Sequence, residues 1–123
     1  MCKASEIGVH NNLFGGHMLC LLDESAASYA CQMCDTPKMV TKKIEEVIFE
    51  KPVKVGNLIK VYGGIDKIGN TSITITLEAR KHNGQQQLVC STKMVFVNID
   101  EEGSPIPISD KVKIKVDKML NSK

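Results

Sequence analysis

Residues 15–35 read GGHMLCLLDESAASYACQMCD, and the fold turns on how this stretch is read. Leu19, Leu22, Ala26, Tyr29, Ala30 and Met33 recur at three-and-four spacing, the period of a helix with one apolar face, and Thr36-Pro37 supplies a stop. The spacing predicts one long helix from about Gly15 to about Asp35. Upstream, Asn11-Asn12-Leu13-Phe14-Gly15-Gly16 reads as a loop delivering the chain to that helix, because Asn and Gly tolerate the dihedrals such an entry needs.

Downstream the period changes from helical to alternating. Ser72-Ile73-Thr74-Ile75-Thr76-Leu77-Glu78-Ala79-Arg80 places apolar and polar residues in turn, as in a strand with one buried and one wet face. Residues 41–50, 57–66 and 88–99 are rich in β-branched side chains, and turn chemistry separates them at 52–56, 68–70 and 83–84. An antiparallel meander is expected. A long apolar helix followed by strands predicts an α+β architecture, the helix lying on one face of a curved antiparallel sheet. The basic tail, residues 108–123, stays open: Val112, Ile114 and Val116 alternate like a strand, whereas Lys118-Met119-Leu120 suits a helix.

The chain of 123 residues, 42% hydrophobic, fits a single domain spanning residues 1–123. A net charge of +2, with the Lys and Arg dispersed, lacks the basic block of a nonspecific nucleic-acid binder, and 4% aromatics without Trp offers no base-stacking platform. Neither nucleic acid nor membrane is an expected partner. Met1 to Val9 holds no apolar run, and residues 18–34 are interrupted by Asp23 and Glu24, so a cytoplasmic location is expected. Five scattered cysteines read as reduced thiols rather than a secreted framework.

Asp23 is the residue that composition leaves unexplained. Leu19 precedes it by one turn and Ala26, Ala27 and Ala30 follow, which puts a carboxylate within or beside the apolar and small-residue face of the helix. Asp forms helices poorly and burial disfavours its charge, so such a residue has a partner, a catalytic role or a wet cavity beside it. Gly15-Gly16 exposes backbone N–H groups at the positive end of the helix dipole, where an oxyanion is stabilised, although a tight turn also uses such a pair. Asn12 offers an amide donor and acceptor for a water or a carbonyl, or caps the helix. From the helix entry to Asp23, at about 1.5 Å per residue, is about 12 Å, too far for both to touch one reacting carbon. Asn12 and Asp23 therefore share a site only when two subunits contribute. Ala26, Ala27, Ser28 and Ala30 form a small-residue patch expected to let a partner backbone approach, so at least a homodimer is predicted.

Other motifs are weaker. Cys31 and Cys34 form a lone C-x-x-C suited to core packing rather than zinc, and His10, His17 and His82 have neither metal nor triad spacing. No metal is expected. Ser25 and Ser28 lack a nucleophile elbow, and neither Gly63-Gly64 nor Gly69-Asn70-Thr71-Ser72 satisfies a P-loop or dinucleotide pattern.

Asn12-Leu13-Phe14-Gly15-Gly16, then Asp23-Glu24, then Phe49-Glu50-Lys51-Pro52-Val53-Lys54-Val55-Gly56, in this order and spacing, resemble the acyl-CoA thioester hydrolase family of hotdog proteins. Gly69-Asn70-Thr71-Ser72-Ile73 and Val95-Phe96-Val97-Asn98-Ile99-Asp100 with Gly103 extend the resemblance to about Pro107. It implies a hotdog fold, pairing of two subunits into a continuous sheet, often a trimer of dimers, and acyl-CoA as substrate. Asp23 matches the family's catalytic carboxylate, and Asn12 a position where some members carry the catalytic Asn and others an acidic residue. Gly69, Asn70, Thr71 and Ser72 match the turn beside which CoA binds, where Asn70 replaces an Arg common in relatives. Lys54, with Lys51 and Lys81, is then a candidate for the missing phosphate contact. The implied mechanism places the thioester oxygen on the N–H groups near Gly15 and Gly16, with Asp23 acting as general base or nucleophile and no cofactor beyond the substrate's own CoA. A hotdog dehydratase would need a histidine and an acid placed for elimination. A regulatory module that binds acyl-CoA without turnover would keep the groove and lose the acid or its partner.

Overall fold

The structure, a computed structural model, describes residues 15–54, 57–82 and 84–121. Its elements, in chain order, are α1 (Gly15–Cys34), β1 (Met39–Phe49), β2 (Ile59–Ile68), β3 (Ser72–Lys81), β4 (Leu88–Asn98) and α2 (Asp110–Asn121). The long helix ends because Asp35 takes a left-handed conformation (φ 52°). Thr36 N–H then donates to the Cys31 carbonyl (3.1 Å) and Asp35 N–H to that of Gln32 (3.4 Å), a Schellman closure that satisfies the last carbonyls before Pro37.

Met18, Leu22, Ala26, Ala30 and Cys34 form the buried stripe of α1, one residue per turn, and pack on Ile73, Ile75, Leu77 and Ala79 of β3 and Cys90, Met94 and Phe96 of β4. Leu19, Tyr29 and Met33 flank that stripe half-buried rather than at its centre. Burying side chains the size of Leu22 and Phe96, both 0% exposed, stabilises the fold by about 1.5–3 kcal/mol each. The polar residues of β3 point the other way, with Thr74 buried and Thr76, Glu78 and Arg80 half-exposed.

The sheet order is β1-β4-β3-β2, antiparallel at every junction. Only β2, β3 and β4 form a meander. The expected full meander is corrected at β1, which pairs with β4 from Met39↔Asn98 to Phe49↔Cys90. Residues 50–58, with Pro52 among them, carry the chain across the sheet from one edge to the other instead of closing a hairpin. The small-residue patch divides: Ala26 and Ala30 are 0% exposed and their small size seats the helix on its own strands, while Ala27 is half-buried and Ser28 exposed.

The tail resolves as a helix. Ser109 caps it, its hydroxyl accepting from Val112 N–H (3.3 Å), and Val112 and Val116 face inward while Ile114 is 56% exposed. A strand would have put all three on one face. Asn98 ties this end together: its N–H donates to the Thr71 carbonyl (2.9 Å), its amide NH₂ to Pro107 O (3.2 Å), and its Oδ1 accepts from the Thr36 hydroxyl (3.3 Å).

Candidate active site

Asp23 sits at the border of the α1 stripe, half-buried, next in sequence to fully buried Leu22. β1 crosses beneath it, and Thr41 Oγ1 donates a 2.7 Å hydrogen bond to Asp23 Oδ1. That bond fixes the carboxylate's orientation, because a charged acceptor holds its donor more firmly than a neutral one. Asp23 Oδ2 bonds no described residue, and the Thr41 hydroxyl keeps lone pairs free, so the two groups together can hold a water.

The pair opens on a shallow hollow of about 300 Å³ lined by Gly16, Leu19, Cys20, Asp23, Thr41 and Ile44. Its walls are apolar apart from the Asp–Thr pair, which suits a ligand with an aliphatic portion and one reacting polar centre. Gly15 and Gly16 are the first residues of α1, and no acidic side chain occupies its first turn to compete for the free N–H groups. Gly16 and Asp23 thus border one hollow from opposite ends. They stand seven residues apart on a helix, about 10 Å, which is too wide for both to act on one carbon within one protomer. Asn12 lies outside the described residues.

The Gly69, Asn70, Thr71 and Ser72 turn joins β2 to β3 and is closed by Gly69 N–H donating to Ser72 O (2.8 Å). Gly69 suits that close approach, since a Cβ there would stand 3.2 Å from Ser72 Oγ. The turn is stitched to the C-terminal segment, because Ile108 N–H donates to Asn70 O (2.8 Å). Lys113 of α2 reaches it, Nζ donating to Asn70 Oδ1 at 2.7 Å. A second hollow of about 260 Å³ opens beside Thr71, with Lys42 and Val97 among its lining.

Lys51 and Lys81 sit at the other end of the sheet, the first bonded to Val89 O and the second paired with Ile59. Lys54, whose N–H donates to Asn57 Oδ1 (2.8 Å), belongs to the 50–58 connection at that same end. Within one protomer none of the three meets the 69–72 turn, which lies about 30 Å away along β3.

Among the described residues no group of His, Cys, Asp and Glu could hold a metal ion, and no helix is long and apolar enough to cross a membrane. His17 does not line the hollow beside Asp23, His82 lies beyond the far end of β3, and His10 and Cys2 are outside the described residues. Cys34 is packed in the core, its thiol pushed up to about 11 by burial and then by neighbouring Cys31. A larger hollow on the opposite face of the sheet, about 330 Å³, is lined by Glu45, Glu46 and Glu78 against Lys93. Three carboxylates there would repel a phosphorylated ligand. Thr41, Cys20 and Ile44 in the first hollow and Lys113 at the turn carry no pattern in the sequence that marks them as site residues.

The thioesterase superfamily profile matches residues 10–88 of this chain. An acyl-CoA thioester hydrolase of Buchnera aphidicola subsp. Schizaphis graminum is 32% identical over 107 residues, covering 82% of this chain and 78% of that protein. The acyl-CoA thioester hydrolase YciA of Salmonella typhimurium is 27% identical over 114 residues, covering 88% of this chain and 85% of its own length. Among solved structures, a hexameric hotdog-fold thioesterase of Campylobacter jejuni superposes with a TM-score of 0.84 at 27% identity, covering 95% of this chain and 92% of that one. A hexameric broad-specificity acyl-coenzyme A thioesterase superposes with a TM-score of 0.88 over 100% of this chain and 94% of that one; at 22% identity it speaks to the fold alone. The helix cradled by its antiparallel sheet, the extent of the profile match and the identity to a thioester hydrolase together make this chain a hotdog-fold member of the thioesterase superfamily, in its acyl-CoA thioester hydrolase family.

Proposed function

We propose that this protein hydrolyses acyl-CoA thioesters to free acid and CoA, with Asp23 as general base and Asn12 supplied by the facing subunit of a homo-oligomer. The observation that carries this reading is the Asp23 carboxylate, held by Thr41 at 2.7 Å on the rim of an apolar hollow. A water between Asp23 and Asn12 attacks the thioester carbon and gives its proton to Asp23. The carbonyl oxygen becomes an oxyanion stabilised by N–H groups at Gly15 and Gly16, and collapse expels the CoA thiolate, which takes up the proton. The residues invoked need no metal or redox group, and the cofactor portion arrives as part of the substrate.

Two features support a shared site. The axial separation of the helix entry from Asp23 is too great for one protomer to supply both. Among the described residues, no strand pairs with the outer edge of β1, although it is eleven residues long and exposes Val40, Ile44, Ile48 and Phe49. An edge of that length and apolarity invites a strand from a second copy, which would continue the sheet and bring two Asp23–Thr41 hollows beside the interface. Two such subunits form the dimer, and a trimer of dimers agrees with the hexameric relatives. The CoA portion would lie against Gly69, Asn70, Thr71 and Ser72, and Lys54 could act there only from a neighbouring subunit. The expected cytoplasmic location belongs to the same reading.

Thiol release from acyl-CoAs of graded chain length tests the proposal, with wild type compared with Asp23→Asn and Asn12→Ala at matched folded concentration. Turnover by wild type and its loss in both variants, with the oligomer intact, is the expected result. Binding without thiol release would favour a regulatory acyl-CoA-binding module instead.

A further inference from the structure

We propose that Lys113 is the cation of the CoA phosphate subsite, carried to the 69–72 turn by the C-terminal helix in place of a charge that the turn itself lacks. This rests on the preceding placement of CoA against that turn and goes beyond it by naming the residue that reads the phosphate. Asn70 is a neutral amide and brings no positive charge to a phosphate. Lys51, Lys54 and Lys81 are carried by their elements to the other end of the protomer's sheet. Lys113 is the lysine that the described structure bonds to the turn.

Its setting suits the role. The Lys113 side chain is 23% exposed, so its stem is packed and its ammonium group is held at one point instead of sweeping through solvent. An ammonium has three donors. One is spent on Asn70 Oδ1, and Asp110, the acid beside it, stands at 3.7 Å, an ion pair rather than a hydrogen bond, with its own side chain 95% exposed. Two donors remain for phosphate oxygens. Thr71 and Ser72, both half-buried, follow Asn70 in the turn and bring hydroxyls that can serve as neutral donors. The helix delivering Lys113 carries four lysines against two aspartates, so its field favours an anion. The Ile108–Asn70 and Asn98–Thr71 backbone bonds lock helix, turn and β4 together, which fixes the cation before any ligand arrives.

The test is calorimetric binding of CoA and of pantetheine, which lacks the nucleotide phosphates, to wild type, Lys113→Gln and Lys113→Arg in the intact oligomer. Lys113→Gln should weaken CoA about tenfold, the loss of one charge-assisted contact, and leave pantetheine unchanged, while Lys113→Arg stays near wild type. Adding Asn70→Arg to Lys113→Gln should restore CoA binding, which keeps the test decisive even if the glutamine loosens the helix. Equal weakening of both ligands, or no change for CoA, would overturn the assignment and leave Lys113 a helix-docking residue. Wild type that binds CoA with this Lys113 dependence but releases no thiol would retain the subsite and refute the hydrolase reading alone.

Discussion

Asp23 on α1 and Lys113 on α2 are held in the same manner, each by one 2.7 Å hydrogen bond to a polar side chain of another element, Thr41 for the first and Asn70 for the second. Their supports differ. α1 is twenty residues long and buries one side chain per turn against β3 and β4, whereas α2 has twelve residues and rests on Val112 and Val116. A carboxylate that must meet a reacting carbon needs the rigid mounting. A lysine that receives a phosphate tolerates a lighter one, since an ammonium acts as a point charge with rotatable donors.

The largest effect should come from removing the first of these charges. Asp23→Asn keeps size and hydrogen bonding while abolishing the base, and kcat for thiol release should fall by about 10²–10⁴ with the far-UV circular dichroism unchanged. A fall of less than about threefold would mean that the rigidly mounted carboxylate is not the catalytic group.

The difference in mounting is itself testable. Leu22→Ala should cost about 3–5 kcal/mol in urea unfolding, because a 0% exposed side chain leaves a cavity between α1 and the sheet. Val116→Ala, also at a 0% exposed position, removes less volume and should cost about 2 kcal/mol or less. Equal costs would show that α2 is as integral to the core as α1.

The same contrast governs what could be read from the sequence. The helix was legible because its apolar period runs through five turns, and Asp23 stood out because that period placed an acid among alanines. The strand spans were legible from alternation and β-branching, each within about two residues of the observed bounds. Which strand lies beside which was not, since the pairing of β1 with β4 joins residues about fifty apart and no local pattern encodes it. Thr41 was invisible as a site residue for the same reason: alone it is an ordinary strand residue, and its meaning comes from a carboxylate eighteen positions away. α2 was hidden by a coincidence of periods, because Val112 and Val116 suit both alternation and a helical turn. The signal that decides it, a Ser109 cap preceding Val112, Val116 and Leu120 at four-residue spacing, was present in the sequence.

A smaller effect should follow from Thr41→Val, which keeps the strand's shape and removes the hydroxyl. It should lower kcat about tenfold with little change in stability, because the hydrogen bond orients the carboxylate at the rim of an open groove and does not seal the core. The smallest effect concerns the thiols. At pH 8, maleimide should modify exposed Cys20 in the native protein and spare Cys34 and Cys90 until denaturant is added, since burial raises both of their pKa values and leaves little thiolate.

The shared site is tested most directly by mixing two inactive variants. Asp23→Asn and Asn12→Ala subunits, exchanged under mild denaturant and reassembled, form hybrid interfaces in which one site regains both an intact Asp23 and an intact Asn12. Recovery of about one quarter of wild-type thiol release, the statistical share of such sites, is the predicted result. Mixtures as inactive as the separate variants, with hybrid oligomers verified by mass, would place both residues in one protomer's site and contradict the shared arrangement.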